Sequence, residues 1–506
     1  MTNPLYDALF APHVGKATPF LHLVDGTTLT HDAFLRKAAQ IGGALDAMGL
    51  VAGDRLALQA EKSPEALAVY AACVQKGVIF LPLNMAYTPV ELDYFIDNSG
   101  AKLVVCDPAK EDGISAIIAR TGAGLVTLAT DGSGSLIEAA NAQPETTSTV
   151  ERSGDDLAAF LYTSGTTGRS KGAMLTQDNL LSNSEVLKDY WAFTSEDVLL
   201  HALPIFHTHG LFVASNVMLL SGGAMIFMRA FSADAMLDHM PRATAMMGVP
   251  TFYTRLLDHD GFTRDAAAHM RLFISGSAPL LAETHELFEA RTGQRILERY
   301  GMTETNMNTS NPYDGTRKAG TVGFPLPGVE LKVTNPETGA ELPQGEIGVI
   351  EVRGPNVFKG YWQMPEKTRE ELREDGFFIT GDLGQIDSEG YVQIVGRGKD
   401  LIISGGYNIY PKEIEMVIDD QPGVKESAVI GVPHPDFGES PVAVVVPDGA
   451  GPDLDQITNA CSAALARFKH PRKIIILDAL PRNTMGKVQK NALRDHYKDL
   501  FSKSES

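Results

Sequence analysis

Residues 162–172 read YTSGTTGRSKG and continue an apolar run, DLAAFLYT, that ends at Thr163. That run predicts a buried strand, so the segment rich in glycine and hydroxyls leaves the end of a core strand. Small residues let backbone N–H groups and Ser/Thr hydroxyls converge on one anion, and Arg169 and Lys171 add positive charge. On its residues the segment is a phosphate-binding loop; the competing reading is a flexible surface turn. It is not a Walker loop, because Ser170 stands where GxxxxGK[ST] needs its second glycine and Gly172 follows the lysine.

Outward from this loop, residues 27 to 165 alternate short apolar runs with amphipathic patterns, as in DRLALQA, SPEALAVYAACVQKG and VIFLPLN. Such alternation predicts βαβ units and a mainly parallel sheet flanked by helices. KLVVCD and LVTLA add further strands. Between Val322 and Gly398 the texture changes to GEIGVIEVRG, GFFITGDLG and GYVQIVGRG, short strands with glycine-containing turns that predict an antiparallel or barrel-like subdomain. Beyond Lys399 follow a helix start at PKEIEMVID, strands ESAVIGV and PVAVVV, a helix around LDQITNACSAALARF and a strand KIIIL, the pattern of a small α+β unit. The expected fold class is α/β: a large N-terminal domain, 1–398, of stacked mainly parallel sheets with helices plus the barrel-like subdomain, and a small mobile α+β domain, 399–506.

A chain of 506 residues exceeds what one core usually organises, which agrees with that division. The net charge of -20 argues against broad capture of nucleic acid or an anionic membrane, so an anionic ligand needs a dedicated site. Cys73, Cys106 and Cys461 have no metal-ligand spacing and read as buried apolar residues of a reducing compartment. The first twenty residues carry no secretory pattern, and Phe212 to Met228 is apolar but interrupted by Ser215, Asn216, Ser221 and a glycine pair. That stretch is expected to be core rather than a membrane span, and the expected location is the cytoplasm.

Four more motifs follow the loop in order: YGMTET at 300–305, TGDLG at 380–384, GRGKDLIISGGYNIYPKEIE at 396–415 and PRNTMGKVQK at 481–490. Together the five resemble the signature set of the adenylate-forming superfamily, which includes acyl-CoA synthetases, firefly luciferase and peptide-synthetase adenylation domains. The resemblance spans nearly the whole chain. It implies an acid–thiol ligase that uses ATP, Mg²⁺ and coenzyme A. Thr163, Ser164, Gly165, Thr166, Thr167, Gly168, Arg169, Ser170 and Lys171 would wrap the ATP phosphates, Thr163 with a catalytic share. Gly276, Ser277, Glu298, Tyr300, Gly301, Met302 and Thr303 would line the nucleotide, with Tyr300 against adenine.

Glu304 would hold Mg²⁺ and contribute to catalysis, a role that suits a hard carboxylate, although an isolated glutamate there also reads as a helix cap. Asp382 and Arg397 would bind the ribose hydroxyls; without the resemblance both are turn residues. Lys487, otherwise a solvent-exposed lysine, becomes the catalytic cation bridging the acid and the α-phosphate. The resemblance also places a hinge at Lys399, about which rotation withdraws Lys487 and brings Ser404, Gly405, Gly406 and Tyr407 to the thiol. An acetyltransferase acting on Lys487 is a further expected partner, since loss of that charge would silence adenylation.

The acid is read from Arg299, an extra cation immediately before YGMTET whose fork matches a carboxylate. The plainer reading pairs Arg299 with Glu298 at a helix terminus. With ISGSAPL, ERYGMTETNMNTSNPYDG and LPIFHTHGLF, the chain resembles the malonyl-CoA synthetase branch. The substrate implied is a small dicarboxylic acid, malonate, contacted by His207, Ser277, Arg299 and Met302, with His209 read as a buried structural histidine. One methyl changes discrimination by only ~1–3 kcal/mol, so methylmalonate enters the same expectation. The alternatives are another small acid, or loading of an external carrier protein. A silent nucleotide-binding protein would be expected to lack Lys487, Glu304 or Asp382.

Overall fold

The βαβ alternation builds a six-stranded sheet with strands in the order Gly124–Thr127, Leu103–Cys106, Arg55–Gln59, Ile79–Pro82, Leu157–Thr163 and Lys171–Thr176. Its neighbours are parallel except the last pair. The crossover helices carry their own end signals. Ser63 accepts from the Ala66 N–H to cap Pro64–Lys76, and Thr88 with Glu91 forms a capping box on Pro89–Ser99. Ile79–Pro82 and Leu103–Cys106 are buried at every residue, as a sheet covered on both faces requires. In the antiparallel pair Thr163 lies opposite Lys171, so the strands pin both sides of the phosphate-loop motif.

The computed structural model describes residues 2–163, 170–404, 407–434, 437–449, 451–465, 467–483 and 486–501, with backbone only at 407 and 408. Ser164, Gly165, Thr166, Thr167, Gly168 and Arg169 of the loop, and Gly405 and Gly406, lie outside the described residues.

A second, nine-stranded sheet runs in the order Phe324–Pro325, Asn306–Ser310, Leu297–Met302, Leu272–Ser275, Ala245–Gly248, Val198–His201, Ala224–Phe227, Pro19–Leu23 and Thr28–Thr30. It is parallel from Leu297–Met302 to Pro19–Leu23 and antiparallel toward each edge. The apolar stretch Phe212 to Met228 becomes the end of a π-helical turn, His209–Ser215, then the helix Asn216–Ser221 and the strand Ala224–Phe227. All of it is buried except Leu220, Ser221 and Gly222, so it is core. Among the described residues no helix is long and apolar enough to cross a membrane.

The chain divides into two compact units. The first comprises Met1–Ala319, Gly323–Glu330 and Val352–Phe378; the second comprises Gly320–Val322, Leu331–Glu351 and Ile379–Ser506. The short-strand texture after Val322 is realised as a four-stranded sheet in sequential order, Glu330–Thr334, Gly348–Arg353, Phe378–Ile386 and Val392–Arg397. Lys399 lies within the second unit, in the 3-10 turn Gly398–Asp400. Beyond it, Tyr407–Ile409, Ile402–Ser404, Gly438–Pro447 and Val424–His434 form a sheet that Lys473–Ile476 joins beside Gly438–Pro447. Ile414, Ile418 and Ile457 from the helices Pro411–Asp419 and Leu454–Ala464 pack on one set of its residues, including Val429 and Val445. Leu493 of the helix Lys490–Tyr497 packs on the alternate set, including Ile430 and Val444.

Candidate active site

Arg299 is the third residue of the strand Leu297–Met302, opposite Ser310, and not at a helix terminus. Alternation sends its side chain to the other face from Glu298, whose carboxylate meets His285 (Oε1 to Nδ1, 3.3 Å). Arg299 is 3% exposed, and its Nε and Nη2 have no hydrogen-bond partner. Burial draws its pKa down to about 9, which still leaves a cation at neutral pH. A buried guanidinium with two of its nitrogens unpaired within the protein is expensive to hold.

Ser277 is joined to His209, which feels the charge of Arg299. Ser277 sits at φ +72°, a left-handed conformation uncommon for serine, and its hydroxyl meets His209 Nδ1 at 3.1 Å. The other nitrogen of His209, Nε2, is buried without a partner. Burial, then the charge of Arg299, holds His209 well below the usual histidine range, and burial lowers His207 to about 4. Both imidazoles are therefore neutral at physiological pH, so Arg299 supplies the positive charge and the imidazoles supply neutral polar atoms.

The strand Leu297–Met302 also carries the nucleotide motif. Its register with Asn306–Ser310 shifts between Tyr300 and Gly301, and a β-carbon on Gly301 would collide with the Asn306 carbonyl, so the bulge demands glycine. Met302 lies opposite Asn306, and Thr303 to Thr305 form the turn between the two strands. Glu304 therefore occupies a hairpin turn and caps no helix; it is buried, at 4% exposure.

Tyr361 and Glu371, which the sequence reading did not single out, link Glu304 to Lys171. The backbone of 359–362 pairs with the strand Lys171–Thr176, through Trp362 N–H to Gly172 O and Met174 N–H to Gly360 O. This sets Tyr361 beside Lys171, whose ammonium lies 4.1 Å from the ring centroid. The Tyr361 hydroxyl meets Glu304 Oε1 at 3.0 Å and Glu371 Oε2 at 2.6 Å. Lys171 Nζ donates to Glu371 Oε1 and Oε2 at 3.1 and 3.0 Å and to the Tyr361 hydroxyl at 3.0 Å. Tyr94 donates to the Ser170 carbonyl at 2.9 Å, and the Thr163 hydroxyl to the Lys171 carbonyl at 3.4 Å. A signal for Tyr361 and Glu371 did exist, the GYW triplet and the charged run after it, but neither indicates a partner nearly two hundred residues upstream.

The second unit gathers the ribose and lysine candidates. Asp382 and Arg397 lie opposite each other on paired strands and join through Nε and Oδ1 at 2.7 Å. Asp382 is buried, and its N–H donates to the Thr380 hydroxyl at 3.0 Å. Lys487 exchanges reciprocal bonds with Asn483: Lys487 N–H to Asn483 Oδ1 and Asn483 N–H to Lys487 O, both 2.9 Å. Lys487 is an exposed residue by its solvent-accessible surface, yet the protein atoms crowded around its ammonium displace water and lower the pKa to about 8. The charges of Arg397 and Lys399 lower it further while Asp382 and Asp400 oppose them, so Lys487 shares one electrostatic neighbourhood with the Asp382–Arg397 pair. Burial likewise lowers Lys399. Ser404 is buried, and its backbone pairs with Tyr407.

Residues 12–362 match the AMP-binding enzyme family, and residues 413–487 match the AMP-binding enzyme C-terminal domain. The structure is similar to that of ATP-bound MatB from Rhodopseudomonas palustris, with a TM-score of 0.97 and 60% identity over 99% of this chain and 100% of that one. The malonate–CoA ligase of Arabidopsis thaliana is 33% identical over 95% of this chain and 84% of its own. A feruloyl-CoA synthase of an Amycolatopsis species is 36% identical over 98% of both chains.

Proposed function

The chain belongs to the AMP-binding enzyme family, and from that premise we propose that it is a malonyl-CoA synthetase, converting malonate, ATP and coenzyme A to malonyl-CoA, AMP and pyrophosphate. The observation that carries the choice of acid is Arg299, buried with Nε and Nη2 unpaired. An aryl acid, the substrate class named for the Amycolatopsis relative, would leave that guanidinium desolvated and uncompensated. A second carboxylate on the substrate supplies two oxygens for the fork and restores the lost hydration.

In the first half-reaction a carboxylate oxygen of malonate attacks the α-phosphorus of ATP, the bond to the pyrophosphate oxygen breaks, and an acyl-adenylate forms. We assign to Lys487 the role of the cation that offsets charge building up on the α-phosphoryl oxygens and the attacking carboxylate. The Asp382–Arg397 pair holds the ribose, the carboxylate accepting from its hydroxyls and the guanidinium donating to them. Glu304 fits a Mg²⁺ site: a single buried carboxylate suits an ion that takes its remaining ligands from phosphates and water. When bound, Mg²⁺ neutralises phosphate charge.

In the second half-reaction the coenzyme A thiolate attacks the acyl carbonyl carbon and AMP leaves. Lys487 serves only the first step, and a rotation about Lys399 that exchanges it for the segment at Ser404 and Tyr407 gives each step its own surroundings. Release of AMP across malonate, methylmalonate, succinate, acetate, propionate, octanoate and benzoate tests the assignment. Malonate preference lost in Arg299→Ala supports it. Preference for a monocarboxylate, with Arg299→Ala indifferent, leaves acyl activation standing and removes malonate.

A further inference from the structure

We propose that Glu371 is an internal anion for Lys171, held by the lysine until nucleotide phosphate takes its place, so that ATP binding is an exchange of one anionic partner for another. The proposal rests on the reading that Lys171 meets the ATP phosphates. An ammonium has three N–H donors, and Lys171 directs them at three protein acceptors, both oxygens of Glu371 and the Tyr361 hydroxyl. Donation to a phosphate therefore requires one of these bonds to be given up. The pair is enclosed enough to matter, with side-chain exposures of 17% and 22%.

The surroundings make Glu371 the partner that can be released. It ends the helix Pro365–Glu371, and Lys367, one turn earlier, bonds its Oε1 at 3.0 Å. Tyr361 remains on Oε2 at 2.6 Å. Without Lys171 the carboxylate still has a cation and a hydroxyl, so the exchange strands no charge. Tyr361 also reaches Glu304, which puts the lysine, its internal anion and the metal-binding candidate on one phenol.

The test is a double-mutant cycle on ATP binding, measured by titration calorimetry with Mg²⁺ on the full chain: wild type, Glu371→Gln, Lys171→Met and the double variant. Removing the competing carboxylate is expected to tighten ATP binding about two- to fivefold, an effect of the size of a partly exposed ion pair. The same substitution in the Lys171→Met background is expected to change nothing, and adenosine, which has no phosphate, should bind all four proteins alike. Weaker ATP binding by Glu371→Gln, or an equal gain without Lys171, overturns the proposal. Lys171→Met with unchanged ATP affinity would instead remove Lys171 from the phosphate site, a failure of the underlying reading that the cycle displays separately. Should Glu371→Gln not fold, Glu371→Asp, which shortens the reach to Lys171, reads the cycle with the same sign.

Discussion

The guanidinium of Arg299 fills the space in which any residue other than glycine at 276 would place its β-carbon: a methyl there would fall 2.5 Å from Nη1 and 2.6 Å from Nε, and closer still to Cζ. Gly276 follows the strand Leu272–Ser275 and Arg299 lies on its parallel neighbour, so the two strands fix this approach. Gly276→Ala should push the guanidinium off its position without altering its charge. Overpacking of this kind costs ~1–3 kcal/mol. The ratio of kcat/KM for malonate to that for propionate is therefore expected to fall about tenfold or more. An unchanged ratio would mean that the position of Arg299 does not set the choice of acid.

Replacing Arg299 itself separates stability from function. Arg299→Met keeps most of the stem and removes a buried cation that has few protein partners. Exchanging buried charge for apolar volume is often neutral or stabilising, by ~1–4 kcal/mol. Thermal unfolding should therefore occur at the same temperature or higher, while malonate turnover collapses. A fall of several degrees would show that Arg299 supports the fold and would weaken its assignment to substrate.

This division between fold and site also explains what the sequence could reveal. The loop at 162–172, YGMTET, TGD and GRGK were legible because each places its chemistry within a few consecutive residues. The strands before 165 were legible because helices and turns punctuate them. Val198–His201, Ala224–Phe227, Ala245–Gly248 and Leu272–Ser275 were not assigned: four-residue strands buried on both faces have no alternation to read. Nor does any local signal pair Leu21 with Met225. Glu371 was missed because PEKTREELRED has the composition of a solvated helix face, and only the pairing of 359–362 with the strand at 171–176 brings it to Lys171.

With Lys487 proposed as the adenylation cation, its lowered pKa predicts that adenylation is sensitive to alkali. A lysine works as a cation only below its pKa, and here that value is about 8 instead of 10.5. Adenylation kcat/KM, followed by malonate-dependent pyrophosphate exchange, is expected to be flat on the acid side of this limb and to fall as pH rises through about 8. The stability sign is opposite to the activity sign. Because folding disfavours the charged form, the contribution of Lys487 to stability improves as pH rises from about 8 toward 10.5. Lys487→Arg, which stays charged, should move the limb upward if it retains measurable activity. A limb that stays at the same pH in an active Lys487→Arg enzyme would assign it to another group.

Lys62 and His201 form a clasp behind the segment that carries His207 and His209. The Lys62 ammonium bonds His201 Nδ1 at 2.8 Å and the carbonyls of His201 and Leu203 at 2.7 and 2.9 Å. It lies 4.3 Å from the centroid of the Phe227 ring. His201 continues the chain through Nε2 to the Gly210 carbonyl at 2.8 Å, inside the π-helical turn. Burial pulls Lys62 well below the usual lysine range, yet three acceptors and an aromatic face favour the charged form, and the full donor set is used. Lys62→Met leaves the Leu203 carbonyl and His201 Nδ1 without their donor, while the His201 carbonyl keeps the Met228 N–H at 3.0 Å, so the protein should be destabilised by ~1–3 kcal/mol for each stranded acceptor. His201→Gln should be milder, because an amide retains one acceptor and one donor. If the clasp orients the histidine segment, the folded His201→Gln enzyme should show a raised KM for malonate with the KM for ATP nearly unchanged. Equal rises in both would reduce Lys62 and His201 to general supports of the core.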